Sequence, residues 1–232
     1  MTTLGILSLS NDGDYVGQNA DFGPGIAGAS HYDSAPIWRQ VPGAWADNVV
    51  SGDVACEAAY VKAAKELVEE GADAITCDCG FTIRYQNAIA AAVSVPVSTS
   101  SLLLLPKLLI EAPKDQKIAV LTADTRCLDS DIFATLGIAD RSRLVIEGLE
   151  GTATHAYMWA EKGAVGVEDV LTDTDNIIER VRNVENIAAV LCECTIFVRV
   201  SSRIRRLTGL PVYDAANNAA LLMASMRRGR IN

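Results

Sequence analysis

AITCDCGF, at residues 74–81, is an apolar run that ends in Cys-x-Cys, and AAVLCECT, at residues 188–195, repeats this arrangement. Cys194 follows Cys79 by 115 residues (194 − 79), and in each case a Pro-Val pair begins 17 residues after that cysteine (96 − 79 and 211 − 194). The chain therefore contains an internal repeat. This repeat places one cysteine at the same structural position in each half.

Short apolar runs alternate with helical patterns along the chain, and this alternation is typical of a parallel α/β fold. We predict two pseudo-symmetric halves, each a short, mostly parallel sheet flanked by helices, with the active site between them. The first half covers residues 1–113, with 208–232 packing back on it, and the second covers 114–232. Predicted strands lie at 4–9, 74–79, 95–98, 118–122, 144–147, 188–192 and 212–213. Predicted helices lie at 53–70, 82–92, 101–112, 125–136, 164–183, 196–207 and from 215 onward.

The composition limits the partners of the protein. The 232 residues are 50% hydrophobic and 21% charged, and they carry a net charge of −9. This acidic balance argues against nucleic acid and anionic membranes as partners. The first residues show neither a basic segment nor a cleavage site, so we expect a cytoplasmic protein. In that compartment the six cysteines are not expected to form structural disulfides.

Residues 10–43 are rich in glycine and proline and have no sustained periodicity. This pattern predicts a long functional loop, such as a lid over a site. The segment GPGIAG at 23–28 matches a dinucleotide-binding pattern, but it does not directly follow the strand and no helical pattern begins there. We therefore predict no dinucleotide cofactor. The arginines between residues 199 and 206 are interpreted as the solvated face of a helix.

The two repeated cysteines end their predicted strands, and ligands of open α/β sheets bind beyond that edge. The helices that follow begin with free N–H groups, which favour anions and lower the pKa of a nearby thiol. A thiolate and a thiol on opposite sides of one carbon can remove a proton and deliver another. Asp78 and Glu193 alternate to the opposite strand faces, so their charges need not directly discourage thiolate formation, and a role in positioning stays open.

The sequence resembles the cofactor-independent aspartate/glutamate racemase superfamily, which includes hydantoin racemases, maleate isomerases and arylmalonate decarboxylases. The resemblance covers most of the chain and rests on GADAITCDCGF at 71–81 and ECT at 193–195. It is supported by VPVSTSS at 95–101 and GLPVYD at 209–214. It implies that Cys79 and Cys194 form the acid/base pair without pyridoxal phosphate, metal or nucleotide. It also implies a homodimer or higher homo-oligomer.

The resemblance further implies that substrate is bound just after the first strand of each half and in the turns near the cysteines. Hydroxyl groups and helix N–H groups there would hold a carboxylate, although each hydroxyl is equally consistent with an ordinary helix cap. The predicted substrate-binding residues are Ser8, Asn11, Gly80, Phe81, Thr99, Ser100, Thr122, Thr125 and Thr195.

These observations predict a racemase or epimerase that acts at the carbon α to a carboxylate, on a small amino-acid or hydantoin-type substrate. Two alternatives within enzymes are a maleate-isomerase-like cis–trans isomerase and a related decarboxylase. The arylmalonate decarboxylases keep only the second cysteine, so the presence of both favours two-base chemistry. An alternative of another class is a zinc-binding or redox protein that uses Cys77 and Cys192 as well. We prefer to interpret these two cysteines as core residues, and we predict no metal site.

Overall fold

A computed structural model describes residues 2–10 and 12–226 of the chain. The strands are β1 (Leu4–Ser8), β2 (Asp12–Val16), β3 (Ile37–Gln40), β4 (Ala74–Cys77), β5 (Val97–Ser98), β6 (Lys117–Thr122), β7 (Leu144–Gly148), β8 (Lys162–Gly166), β9 (Ile187–Cys192) and β10 (Val212–Tyr213). The α-helices are α1 (Ala46–Ser51), α2 (Val54–Glu69), α3 (Gln86–Ala92), α4 (Leu105–Glu111), α5 (Ser130–Thr135), α6 (Ala153–Met158), α7 (Val167–Arg182), α8 (Ser201–Thr208) and α9 (Ala215–Ser225). Helices α3, α4 and α8 each continue a 3₁₀ segment, at Gly80–Tyr85, Ser101–Leu104 and Thr195–Val200.

Two four-stranded parallel sheets form the framework. The first has the order β3-β1-β4-β5 and the second β10-β9-β6-β7. Read from its other edge, the second sheet has the order β7-β6-β9-β10. Strands β7, β6, β9 and β10 therefore correspond to β3, β1, β4 and β5 of the first sheet. Leu7 lies opposite Cys77 in one sheet and Leu121 opposite Cys192 in the other. The expected α/β fold class with two parallel sheets flanked by helices is confirmed.

A third, two-stranded sheet pairs β2 with β8 in parallel register. This sheet corrects two expectations. Residues 10–43 are not one irregular loop, because they contain β2 and the edge strand β3. The helix expected from residue 164 begins at Val167, because Lys162–Gly166 forms β8 instead. The short helices α1 and α6 are also absent from the sequence prediction.

Local signals account for the helix ends near the sheets. Asp53 accepts a hydrogen bond from the backbone N–H of Ala55 at the start of α2, and Gly71 adopts a left-handed φ of 97° just beyond its end. Helix α7 buries one apolar face, and it carries Glu168 in its first turn and Arg182 in its last. Both charges complement the helix dipole.

The apolar core is continuous across the two sheets. One large cluster includes Leu7 of the first sheet and Leu191 of the second. On the other face of β1, Leu4 and Ile6 form a cluster with Ala215 and Ala219 of α9, so this helix packs on the first sheet. The division of the chain at residue 113 remains a prediction, and residues 227–232 lie outside the described part. None of the described helices has both the length and the apolar composition that crossing a bilayer requires.

Candidate active site

The two cysteines of the repeat occupy equivalent positions beyond the strand ends. Strand β4 ends at Cys77 and β9 at Cys192, so Cys79 and Cys194 each lie two residues beyond a strand end. The expectation that each cysteine is the last residue of its strand is therefore wrong. Each is the residue that precedes a 3₁₀ segment. The strands therefore carry both cysteines to the edge of the sheets where the following helical segments begin.

Both thiols line one cavity of about 810 Å³. Residues of both halves line it, including Ser8 and Phe81 from the first and Thr195 from the second. The hydroxyl of Thr195 donates a hydrogen bond to the backbone carbonyl of Asp78, which joins the halves beside the thiols. The cavity therefore lies between the two sheets.

Burial raises the pKa of both thiols above the usual range. The carboxyl of Glu193 adds to this effect at both cysteines, and the N–H groups of Phe81, Thr82 and Ile196 oppose it. The expected lowering of the thiol pKa by helix N-termini is therefore wrong, because desolvation outweighs these N–H groups. Each thiol rests in its neutral form at neutral pH.

Two buried carboxyl groups also border the cavity. Burial raises the pKa of Asp78 and of Glu193 to about 7. Asp78 accepts a hydrogen bond of 3.1 Å from the N–H of Leu9, and Glu193 Oε2 accepts one of 2.8 Å from the Thr122 hydroxyl. Glu193 Oε1 is buried and has no hydrogen-bond partner among the described residues. Although they alternate to the opposite strand faces, both carboxyls discourage thiolate formation, since both raise the pKa of Cys79.

Of the predicted substrate-binding residues, four line the cavity beside the cysteines: Ser8, Gly80, Phe81 and Thr195. The predicted residue Asn11 lies outside the described residues.

Four other predicted residues do not line the cavity, because their polar groups bond within the scaffold. The N–H and hydroxyl of Thr99 both donate to Gln86 Oε1, at 2.9 and 2.8 Å. Ser100 caps the 3₁₀ segment Ser101–Leu104. The Thr122 hydroxyl bonds to Glu193, and that of Thr125 bonds to Glu150. These hydroxyls position backbone and carboxyl groups instead of facing a ligand.

Sequence reasoning missed a polar and aromatic wall of the cavity. This wall consists of the side chains of Tyr15, Trp38, Tyr157 and Arg199. The expectation that the arginine side chains lie on a solvated helix face is therefore wrong for Arg199. The glycine-rich residues 24–28 also line the cavity, which agrees with a loop that covers a site. The Cys-x-Cys motifs do not predict these residues, because the residues come from parts of the chain that lie outside both motifs.

No disulfide links any of the six cysteines. Cys77 and Cys192 are buried in the core, and within the described residues no three His, Cys, Asp or Glu side chains converge as metal ligands.

Comparisons with known proteins relate this chain to enzymes. No family model matches the chain. Dimethylsulfoniopropionate lyase of Durusdinium sp. clade D is 32% identical over 215 residues, covering 84% of this chain and 68% of that protein. Dimethylsulfoniopropionate lyase 6 of Emiliania huxleyi is 30% identical over 240 residues, covering 97% of this chain and 60% of that protein. The chain thus spans about three fifths to two thirds of the length of these curated relatives.

Solved structures show the same fold at lower identity. Allantoin racemase from Pseudomonas fluorescens superposes with a TM-score of 0.66 and 15% identity, covering 97% of this chain and 90% of that one. A variant of arylmalonate decarboxylase superposes with a TM-score of 0.60 and 18% identity, covering 99% of this chain and 97% of that one. The fold is therefore that of the aspartate/glutamate racemase superfamily, as the sequence resemblance implied. By the similarity of its sequence, the chain belongs to the family of the dimethylsulfoniopropionate lyases.

Proposed function

We propose that this chain removes a proton from the carbon α to a carboxylate, with Cys79 and Cys194 as acid/base groups and without a metal or organic cofactor. The observation that supports this most directly is that the repeat brings two equivalent thiols to one cavity. A base on one side and an acid on the other can serve the same carbon. The substrate is a small carboxylate-bearing molecule.

Elimination is the outcome that the relatives favour. They are named as lyases of dimethylsulfoniopropionate, in which a positively charged sulfonium lies β to the carboxylate. In the proposed reaction a thiolate takes the α-hydrogen as a proton, and the electron pair of that C–H bond forms a C=C bond. The bond between carbon β and sulfur breaks with its pair on sulfur. The products are neutral dimethyl sulfide and acrylate, and the thiol returns its proton to solvent.

The raised thiol pKa fits a cationic substrate. Burial keeps the thiols neutral. A positive charge within about 4–6 Å favours the thiolate. A bound sulfonium would therefore activate the base only when substrate is present. The aromatic side chains of Trp38 and Tyr157 line the cavity and offer ring faces that attract such a cation.

Racemisation or epimerisation is the second candidate. The presence of both thiols in one cavity favours it, because elimination needs one base whereas inversion needs an acid on the opposite face. The α-proton step is common to both reactions. They differ in whether the carbanion expels a β-substituent or is protonated again.

The test is to incubate the purified protein with dimethylsulfoniopropionate in heavy water, and separately with amino acids and hydantoins. Dimethyl sulfide release identifies elimination, and deuterium uptake at carbon α without product release identifies racemisation. We expect Cys79→Ser and Cys194→Ser to lower the rate by about 10²–10⁴-fold. Cys127→Ser is the control, since Cys127 does not line the cavity. Full activity in either Cys79→Ser or Cys194→Ser would reject the proposed pairing of the two thiols.

Assembly into a homodimer or higher homo-oligomer is part of the proposal, and sedimentation velocity of the purified chain measures it.

A further inference from the structure

Arg199 is the one lysine or arginine among the described residues that line the cavity. It lies in the 3₁₀ segment Thr195–Val200, five residues after Cys194. The same segment therefore supplies a thiol and a permanent positive charge to the same cavity.

The guanidinium of Arg199 is held by aromatic and backbone groups. Its central carbon lies 4.4 Å from the ring centroid of Tyr15 and 5.2 Å from that of Phe22. Its Nη1 donates to the carbonyl of Gly23 at 3.2 Å, and the N–H of Gly23 donates to the Arg199 carbonyl at 2.6 Å. A Cβ at Gly25 would lie 3.0 Å from Nη2, so the absence of a side chain there makes room for the guanidinium.

The remaining donors of Arg199 have no hydrogen-bond partner among the described residues. Within the described chain, no carboxylate forms an ion pair with Arg199, and neither Nε nor Nη2 has a hydrogen bond. The arginines of the next turns differ, because Arg203 and Arg206 both form ion pairs with Asp21, at 2.5 and 2.6 Å. An arginine fixed in place with free donors on a cavity is suited to a planar, two-oxygen anion.

We propose that Arg199 binds the carboxylate of the substrate and selects monocarboxylates. The inference rests on the proposed function in taking a carboxylate as the recognised group. A single guanidinium pairs with one carboxylate, and a second anionic group in the same molecule would approach the carboxyls of Asp78 and Glu193. Those carboxyls instead favour a neutral or cationic second group. A zwitterion with one carboxylate, such as a sulfonium carboxylate, would place its carboxylate at Arg199 and its positive charge near the carboxyls of Asp78 and Glu193.

Binding of unreactive propionate to the whole protein, measured by calorimetry, tests this proposal without requiring turnover. We expect the wild-type protein to bind propionate, and Arg199→Gln to bind it about ten- to a hundredfold more weakly. Arg206→Gln is the matched control, because its ion pair lies away from the cavity, and its affinity should equal that of the wild type. Failure of the wild type to bind propionate, or equal affinity in Arg199→Gln, would overturn the proposal.

Two further measurements keep the test decisive if Arg199→Gln fails to fold. Arg199→Lys retains the charge but loses the planar pair of donors, so we expect propionate to bind several-fold more weakly. Unchanged affinity in this variant counts against the proposal. Malonate, the dicarboxylate probe, should bind the wild type more weakly than propionate, and tighter malonate binding would refute selection of monocarboxylates. Because no thiol chemistry enters these measurements, their outcome is independent of the heavy-water assay.

Discussion

Glu193 of the second half lies against Gly80 of the first half so closely that a Cβ at residue 80 would be 2.1 Å from Glu193 Oε1. The same Cβ would lie 2.3 Å from the backbone oxygen of Glu193. The residue after one cysteine of the repeat is thus in contact with the residue before the other. This contact joins the two halves beside the cysteines.

Replacing this glycine should force the halves apart. We expect Gly80→Ala to lower the free energy of unfolding by about 3 kcal/mol, since a backbone atom blocks the new methyl group, and to reduce activity. Gly163→Ala is the control, because a Cβ there meets its nearest neighbour at an ordinary 3.8 Å. Urea unfolding of both variants measures the difference. Equal stability of the two would contradict the close approach.

The buried carboxyl of Glu193 should make stability depend on pH. Its pKa is raised from 4.5 to about 7, so between these values the unfolded chain ionises while the folded chain keeps its proton. The free energy of unfolding therefore falls as the pH rises through this window, by about 3 kcal/mol for this group. Glu193→Gln removes this contribution, so the variant should gain stability relative to wild type between pH 5 and pH 8. Urea unfolding at the two pH values tests this, and a constant difference would refute it.

Loss of the same charge should make the thiols more reactive. The carboxyl of Glu193 raises the pKa of Cys79 and of Cys194, so Glu193→Gln should lower both values. We expect the pH dependence of iodoacetamide labelling at these two cysteines, followed by peptide mass spectrometry, to shift to lower pH. Glu150→Gln, which replaces a carboxyl bonded to Thr125, should leave the labelling profile unchanged. A shift in the control alone would show that the assignment to Glu193 is wrong.

Arg84 should stabilise the contact between the halves. It donates to the carbonyl of Val50 at 3.0 Å in the first half, and to the carbonyl of Cys127 and the carboxylate of Asp129 in the second, at 3.1 and 2.7 Å. We expect Arg84→Ala to cost about 2–3 kcal/mol of unfolding free energy, because it leaves half-buried acceptors unpaired.

Lys107→Ala supplies the comparison for Arg84. Lys107 pairs with Glu111 on an exposed helix surface, and the loss should stay within about 0.5 kcal/mol. Thermal or urea unfolding of both variants measures the contrast. Similar losses would mean that Arg84 does not bridge the halves.

The sheets were predictable from the sequence because each strand is a local apolar run and the runs recur at a fixed spacing. Cys79 and Cys194 were found for the same reason. Strand β2 was not predicted, since its pairing with β8 depends on residues about 150 positions away that carry no shared pattern. Arg199 was likewise misassigned, because its charge pattern resembles a solvated helix and its contacts come from Tyr15 and Gly23.

The hydroxyl residues show a second limit of sequence reasoning. Thr99 and Thr122 carry hydroxyl groups that could bind a ligand, yet each hydroxyl donates a hydrogen bond to another side chain of the protein. The thiol pKa was also misjudged, because the effect of helix N–H groups can be read locally whereas burial depends on the packing of both halves. The hydrogen-bond partners of the hydroxyls and the burial of the thiols both depend on tertiary structure, so no local sequence pattern predicts them.

Strand β2 belongs to the first half, and within the described chain it pairs only with β8 of the second. The backbone of Tyr15, opposite Val165, is therefore positioned by a strand across the cleft. Because Arg199 also belongs to the second half, this ladder keeps the ring of Tyr15 beside its guanidinium even if the two large sheets move apart. Slow amide hydrogen exchange along residues 14–16 would therefore report that the two short strands still join the cavity wall to the half that carries Arg199.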